Sequence, residues 1–462
     1  DGLNTVDGHP EIEVALAELA RLTGERRYLD QAARFVDRRG HRLLGTIAFG
    51  AEYFQDDVPV REAGSLRGHA VRALYLAAGA ADVAVERDDR SLFEAVVRQT
   101  RSTLARRTYV TGGMGAHHEG ESFGLDYELP PDRAYAETCA GVGSVMVNYR
   151  LLLATGEAEY ADAIERALFN VVATSPAADG RSFFYTNTLH QRVPGAVPNP
   201  EVPSPRAASS LRAPWFDVSC CPTNVARTLA SMSAYVATCT DDGLQVHQYA
   251  AADIRATLAR GHEVAVQVQT RYPEDGDIRI VVVEAPPHQW TLQLRIPMWA
   301  ATGATLHVGE ERTPVSPGYA AVTRTFSVGD VIHLRLPVEP RWTRPHPRID
   351  AVRGSVAVER GPLVLCMESV DLGASVNDVV VDTSTAPSDR DGVTFVRAGT
   401  ARLAEPSWPY GDDDAAATAV DLHEVPMIAY HEWANRGPAT MRVWLPELDS
   451  AGSSPVDSSS SQ

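Results

Sequence analysis

The chain has 462 residues, more than one ordinary hydrophobic core holds, so two or three domains are expected. Its apolar fraction of 44% and charged fraction of 22% are those of a globular protein, and no apolar run nears the roughly 20 residues of a membrane span. All 42 basic residues are arginine, which excludes Schiff-base chemistry and lysine-dependent phosphate loops, and a net charge of −18 disfavours nucleic acid and anionic membranes.

Helical periodicity fills the first half, in segments at about 10–22, 26–38, 64–86, 90–107, 133–154, 157–174 and 222–238. Leu22-Thr23-Gly24-Glu25 followed by Tyr28-Leu29-Asp30 is echoed by Ala154-Thr155-Gly156-Glu157 followed by Tyr160-Ala161-Asp162. Each copy writes a helix end, a Gly turn and a new helix start, which fits a toroid of stacked helical hairpins and also fits chance recurrence. From about residue 242 the pattern changes to alternation, as in Val264-Ala265-Val266-Gln267-Val268 and Leu292-Gln293-Leu294-Arg295-Ile296, which predicts antiparallel sandwiches. Prolines 340, 345 and 347 separate a second strand-rich unit that ends in Met441-Arg442-Val443-Trp444-Leu445. The expected units are thus a helical domain over 1–240, sandwiches over 241–345 and 346–449, and a serine-rich disordered tail over 450–462.

Five cysteines form an odd set, too sparse for a disulfide framework, and adjacent Cys220 and Cys221 would make a strained one. Reduced thiols in a cytoplasmic compartment are expected. No signal peptide is visible, yet the chain opens at Asp1 without an initiator methionine, which leaves export open.

Glu137 and Cys139 on one segment, with Cys220 and Cys221 on another, form a complete tetrahedral donor set for zinc. The same cysteines also fit buried structural thiols, because no two-pair zinc spacing is matched. A second group is acidic: Glu121 in a Gly- and His-rich loop, then Asp126, Glu128, Asp132 and Glu137. Cleaving a sugar bond needs one group to protonate the leaving oxygen and another to attack or activate water, and Glu121 is the acid candidate, although loop acids are commonly solvated surface. His69 and Arg72 share a helix face and suit sugar hydroxyls or a carboxylate, while a lone helical histidine is more often a packing residue. His117 and His118 offer a weak extension of a metal site.

These residues sit in motifs that resemble glycoside hydrolase family 127, the bacterial beta-L-arabinofuranosidases. The resemblance runs from Gly8-His9-Pro10-Glu11-Ile12-Glu13 through Gly120-Glu121-Ser122-Phe123, Glu137-Thr138-Cys139, Cys220-Cys221-Pro222, Glu359-Arg360-Gly361-Pro362 and Trp433-Ala434-Asn435-Arg436-Gly437. It implies an (α/α)6-barrel-type helical toroid followed by two antiparallel β-sandwiches. It implies a Zn2+ cofactor held by Glu137, Cys139, Cys220 and Cys221, with Cys220 as nucleophile, Glu121 as acid/base and His69 touching the sugar. The implied reaction releases L-arabinofuranose with retained configuration from an arabinose-containing oligosaccharide or glycoconjugate, with a homodimer admitted. One departure stands out: seven helices are read here against a full six-hairpin barrel in the family, so the barrel is expected to lack its N-terminal part. The alternatives are a sugar-binding or inactive remnant with a structural zinc site, a hydrolase of a related branched or acidic sugar, and a sugar-isomerising relative.

Overall fold

The computed structural model describes residues 4–206, 211–401 and 420–448, and the expected disordered tail lies outside them. In the first half the helices are α1 (Ile12–Thr23), α2 (Arg26–Arg38), α3 (Gly50–Tyr53), α4 (Ala70–Glu86), α5 (Arg90–Arg106), α6 (Thr138–Thr155), α7 (Ala158–Ala167), α8 (Cys221–Ala230) and α9 (Met232–Val236). The echoed Gly turns are structural equivalents. Gly24 (φ 71°) and Gly156 (φ 69°) take the left-handed conformation that closes a helix, each donating its N–H four residues back, to Ala20 O and Leu152 O. The next helix then starts within two residues, so α1 folds onto α2 and α6 onto α7.

α4 is the hub. Every position from Ala70 to Ala84 except Arg72 is buried, and it packs against α1, α2, α5 and α6. A helix so largely apolar must lie inside, with its one buried acid, Asp82, paired to Arg21 and Arg150, and its alanines let neighbours approach closely. Three boundaries differ from the sequence expectation. The helix expected from 64 starts at Ala70, because His69 caps it by accepting the Arg72 N–H. The one expected from 133 starts at Thr138, since Glu137 (φ −55°, ψ 138°) is still extended. The one expected over 222–238 breaks at Ser231, and Ala237–Thr240 pairs as a strand with Gly243–Val246.

The second half forms three sheets. A four-stranded sheet runs in the order Gly318–Arg324, Trp290–Ile296, Gly243–Val246, Ala237–Thr240, and a six-stranded sheet carries Ala252–Thr257, Glu263–Thr270, Asp277–Glu284, Val331–Arg335, Thr305–Val308 and Glu311–Pro314. Leu292, Leu294, Ile278 and Ile280 belong to one core that both sheets feed. The expected pure antiparallel pattern has an exception: Gly243–Val246 runs parallel to Trp290–Ile296. The third sheet, of ten strands, begins with Pro340–Thr343 and also takes in His190–Gln191 from the helical half, paired with Met441–Arg442. Phe184 stacking on Trp433 at 4.9 Å, both buried, cements that junction. Among the described residues none of the sheets closes into a barrel.

Candidate active site

Two helix starts and two loops converge on one cavity of about 470 Å³. Glu137 is the N-cap of α6 and Cys139 lies in its first turn, while Cys220 is the N-cap of α8 and Cys221 its first residue. Pro222 fits there because the first helical turn needs no N–H from it. Helix N-termini carry partial positive charge, which favours thiolates and carboxylates over their neutral forms. Thr138 and Asn187 fix the entry of α6: Thr138 Oγ1 donates to Phe184 O at 3.0 Å and Asn187 Nδ2 to Ala136 O at 2.8 Å.

The sulfurs cluster tightly. Cys139 Sγ lies 3.2 Å from Cys220 Sγ and 3.6 Å from Cys221 Sγ, and the vicinal pair is 4.0 Å apart. Cys220 Sγ also meets Glu137 Oε1 at 3.3 Å and the Tyr185 hydroxyl at 3.1 Å. Glu137 Oε2 is buried with no hydrogen-bond partner. Hydrogen bonds from Cys139 and then Cys221, with further ones from Tyr185 and Glu137, pull the Cys220 thiol down to about 2. The others hold their protons: the bond to Cys220 pushes Cys139 up, and burial pushes up Cys221 and Glu137. Four acids this close cannot all ionise unless a cation joins them. The cluster is thus a set of donors that could hold a metal.

Across the cavity sits Glu121. Its loop is stitched to the start of α4 by a β-bridge between His69 and Ser122 and by Phe123 N–H donating to Gly68 O at 2.9 Å. That stitching brings residues 52 apart in sequence into contact: His69 Nε2 lies 3.1 Å from Glu121 Oε2. Glu121 itself has φ 50°, a strained conformation for a non-glycine residue, of the kind that concentrates at functional sites. Its other oxygen, Oε1, pairs with Arg206 Nη1 at 3.0 Å. Burial works against its charge, yet the hydrogen bond and charge of His69 and the charge of Arg206 leave it below the usual carboxylate range.

All six residues singled out in the sequence are therefore neighbours: Glu137, Cys139, Cys220 and Cys221 in the cluster, His69 and Glu121 facing it. The other acids are not. Asp126 pairs with Arg106 and Arg107, Asp132 with Arg192, and Glu128 with His117 at 2.7 Å. His117 and His118 line a separate groove with Tyr127 and Arg348, away from the sulfurs. Sequence reasoning missed Tyr185, Arg206 and the far wall, where Arg227 donates to the Tyr75 hydroxyl at 2.7 Å and to Glu11 Oε1 at 2.5 Å. Tyr185, Arg206, Arg227 and Tyr75 have no motif of their own; Glu11 and His9, the latter edge-on to His69, were at least inside the Gly8-His9-Pro10-Glu11 segment. A second cavity, of about 500 Å³, shares Arg227 but is lined by α1, α4, α6 and the α8–α9 region without any cysteine.

A thiol cluster set against a carboxylate in one cavity supplies an attacking group and an acid, the two roles that cleavage of a glycosidic bond needs, which points to a glycoside hydrolase. The chain belongs to glycoside hydrolase family 127. It matches the "Beta-L-arabinofuranosidase, GH127 catalytic domain" over residues 2–234, the "GH127 middle domain" over 243–338, and the "Glycoside hydrolase family 127 C-terminal domain" over 340–446. It is 33% identical to a non-reducing end beta-L-arabinofuranosidase of Bifidobacterium longum subsp. longum, across 96% of this chain and 71% of that one. Among solved structures, a GH127 beta-L-arabinofuranosidase from Geobacillus stearothermophilus T6 superimposes with TM-score 0.86 at 34% identity, covering 96% of this chain and 73% of its own. A second GH127 beta-arabinofuranosidase gives TM-score 0.83 at 33% identity, covering 96% and 69%.

Proposed function

We propose that the protein is a retaining beta-L-arabinofuranosidase in which Cys220 attacks the sugar and Glu121 moves the proton. The observation that carries this reading is the placement of Cys220 Sγ, within 3.3 Å of Cys139 Sγ, Glu137 Oε1 and the Tyr185 hydroxyl, in the same cavity as a carboxylate backed by His69. The relatives' activity supports the substrate class. The helical half is read as part of an (α/α)6-type toroid and the sheets as two sandwiches, in a reducing, cytoplasmic setting that keeps the thiols free.

The donor set suits zinc. Tetrahedral zinc with Zn–S bonds of about 2.3 Å spaces its sulfurs by about 3.8 Å, and the three separations of 3.2, 3.6 and 4.0 Å bracket that value. The unpartnered Glu137 Oε2 supplies a lone pair that burial otherwise wastes. Glu137, Cys139, Cys220 and Cys221 would hold the ion, which when bound supplies the positive charge that keeps these thiols deprotonated.

The steps then follow from the residues. His69 positions Glu121 beside the sugar. The Cys220 thiolate forms a C–S bond to the anomeric carbon as the glycosidic C–O bond breaks, and Glu121, ionised in the free site, takes up a proton from solvent when the sugar binds and gives it to the departing oxygen. In the second step Glu121 takes a proton from water, whose oxygen replaces sulfur at the same carbon, so Cys220 returns as thiolate. Two inversions leave the configuration retained. The test is hydrolysis of an aryl β-L-arabinofuranoside alongside zinc analysis and peptide mapping after an L-arabinofuranose-shaped haloacetamide. The reading requires turnover, about one zinc per chain and label on Cys220. Label on Cys221 or Glu137 instead would overturn the assignment of the nucleophile.

A further inference from the structure

Both Glu121 oxygens already have a partner: His69 holds Oε2 and Arg206 holds Oε1, so a substrate oxygen aligned for proton transfer at either one competes with that partner for the same oxygen. The two partners are unequal. The His69 side chain is 7% exposed, caps α4 and has its ring packed edge-on against Tyr53 at 5.2 Å, so it is held from three sides. The Arg206 side chain is 45% exposed and reaches Glu121 from the opposite wall. That wall is the one that carries the nucleophile: Asp217 Oδ1 accepts the backbone N–H groups of Arg206 and Val218, Asp217 N–H donates to Ser204 O, and the chain reaches Cys220 two residues after Val218. Arg206 is thus anchored by its backbone to the Cys220 segment while its guanidinium crosses the cavity to the acid/base.

We propose that Arg206 is a positioning residue and a displaceable clamp: the leaving oxygen of the substrate takes its place on Glu121 Oε1, and the freed guanidinium turns to the hydroxyls on the leaving-group side of the bond. Oε1 is then the reactive oxygen and Oε2 the fixed one. Between turnovers the clamp holds the carboxylate plane, so the reacting geometry exists before substrate arrives. With substrate bound, five fixed N–H donors facing the leaving group favour a hydroxyl-rich partner, a second sugar, over a flat aromatic one. This inference rests on the proposed arabinofuranosidase reading and adds a specificity determinant to it.

The experiment compares wild type with Arg206→Ala, Arg206→Lys and Asp217→Ala on an arabinofuranosyl disaccharide and on an aryl β-L-arabinofuranoside, with zinc content and melting temperature followed in parallel. Arg206→Ala should lose about tenfold or more in kcat/KM on the disaccharide, mostly through KM, and clearly less on the aryl glycoside. Zinc and melting should stay unchanged. Arg206→Lys should recover part of the loss, Asp217→Ala should reproduce part of it, and millimolar guanidinium should rescue Arg206→Ala because the site is open to solvent. Equal losses on both substrates without guanidinium rescue, unaltered kinetics, or loss of zinc would each overturn the clamp. A wild type inactive on both substrates removes the arabinofuranosidase reading, and the clamp falls with it.

Discussion

Chemistry at the residue scale comes from giving two acids opposite tasks through their surroundings. Cys220 is stabilised as thiolate by sulfur, hydroxyl and carboxyl donors, whereas Cys139 and Cys221 are buried and protonated until a cation joins them. Cys139→Ser should therefore cost the metal, because oxygen is a poorer partner than thiolate in a sulfur-rich zinc site. Metal analysis of protein purified under reducing, chelator-free conditions should fall from about one zinc per chain to well below half of that. Glu121→Gln keeps the shape and the His69 contact but removes the proton. Turnover of substrates with poor leaving groups should drop by about 10²–10⁴-fold, while an activated aryl glycoside, which needs no protonation, should retain far more of its first step. Equal losses on the two substrates would show that Glu121 binds or packs rather than donating. The residues that carry these arguments were legible from the sequence through the motifs that resemble family 127; taken alone, the cysteines also fit buried structural thiols and Glu121 a solvated loop. Arg206 was not legible, since one arginine among 42 in a Pro-rich loop has no pattern to distinguish it.

Among the elements, helices declared themselves by period, and their starts did not, because a start is decided by tertiary contacts. His69 and Glu137 became N-caps because the Glu121 loop and the Phe184–Asn187 segment hold these two residues extended just after positive-φ turns at Gly68 and Ala136. Likewise the sequence over 222–238 reads as one helix, yet pairing with Gly243–Val246 takes its last residues into a sheet. Nor could alternation show how α7 would meet the strand Trp290–Ile296. That contact is a buried charge network: Arg295, wholly buried, pairs with Asp162 and Glu165 of α7, and Glu165 also accepts the Tyr272 hydroxyl and the Trp299 indole N–H at 3.1 Å. Removing one member strands the others. Arg295→Met should destabilise the protein by about 3–5 kcal/mol, because two carboxylates lose the buried guanidinium paired with them, whereas Arg295→Met combined with Glu165→Met should cost less than the single change. Urea unfolding of the two variants checks this, and a double variant worse than the single would mean that the network stabilises through packing instead of charge.

For the whole molecule, domains that share no core answer acid in opposite directions. His247, in the four-stranded sheet unit, is fully buried between the Tyr319 hydroxyl at 2.5 Å and Thr238 Oγ1 at 2.8 Å, and burial, aided by the charge of Arg295, lowers it to about 4. Glu13, in α1, is just as buried, with Oε1 lacking a hydrogen-bond partner, and burial together with the nearby Asp7 raises it to about 7 against the pull of Arg39. Below its unfolded value of 6.5 the unfolded state protonates His247 and the folded state does not, so its contribution is lost as pH falls from about 6.5 to about 4. For Glu13 the folded state binds the proton first, between about 7 and the unfolded value of 4.5, so stability is gained over that same descent. From pH 7.5 to 5 each amounts to about 2 kcal/mol, with opposite signs. Part of the acid response of the wild type is thereby concealed. Neutral replacements should expose it: relative to wild type, His247→Gln should become about 2 kcal/mol more stable at pH 5 than at pH 7.5, and Glu13→Gln about 2 kcal/mol less stable. Urea midpoints for the three proteins at both pH values decide the matter. Parallel shifts in both variants would place the acid response elsewhere, in the His190 junction to the C-terminal sheet, where His190 is likewise lowered to about 4.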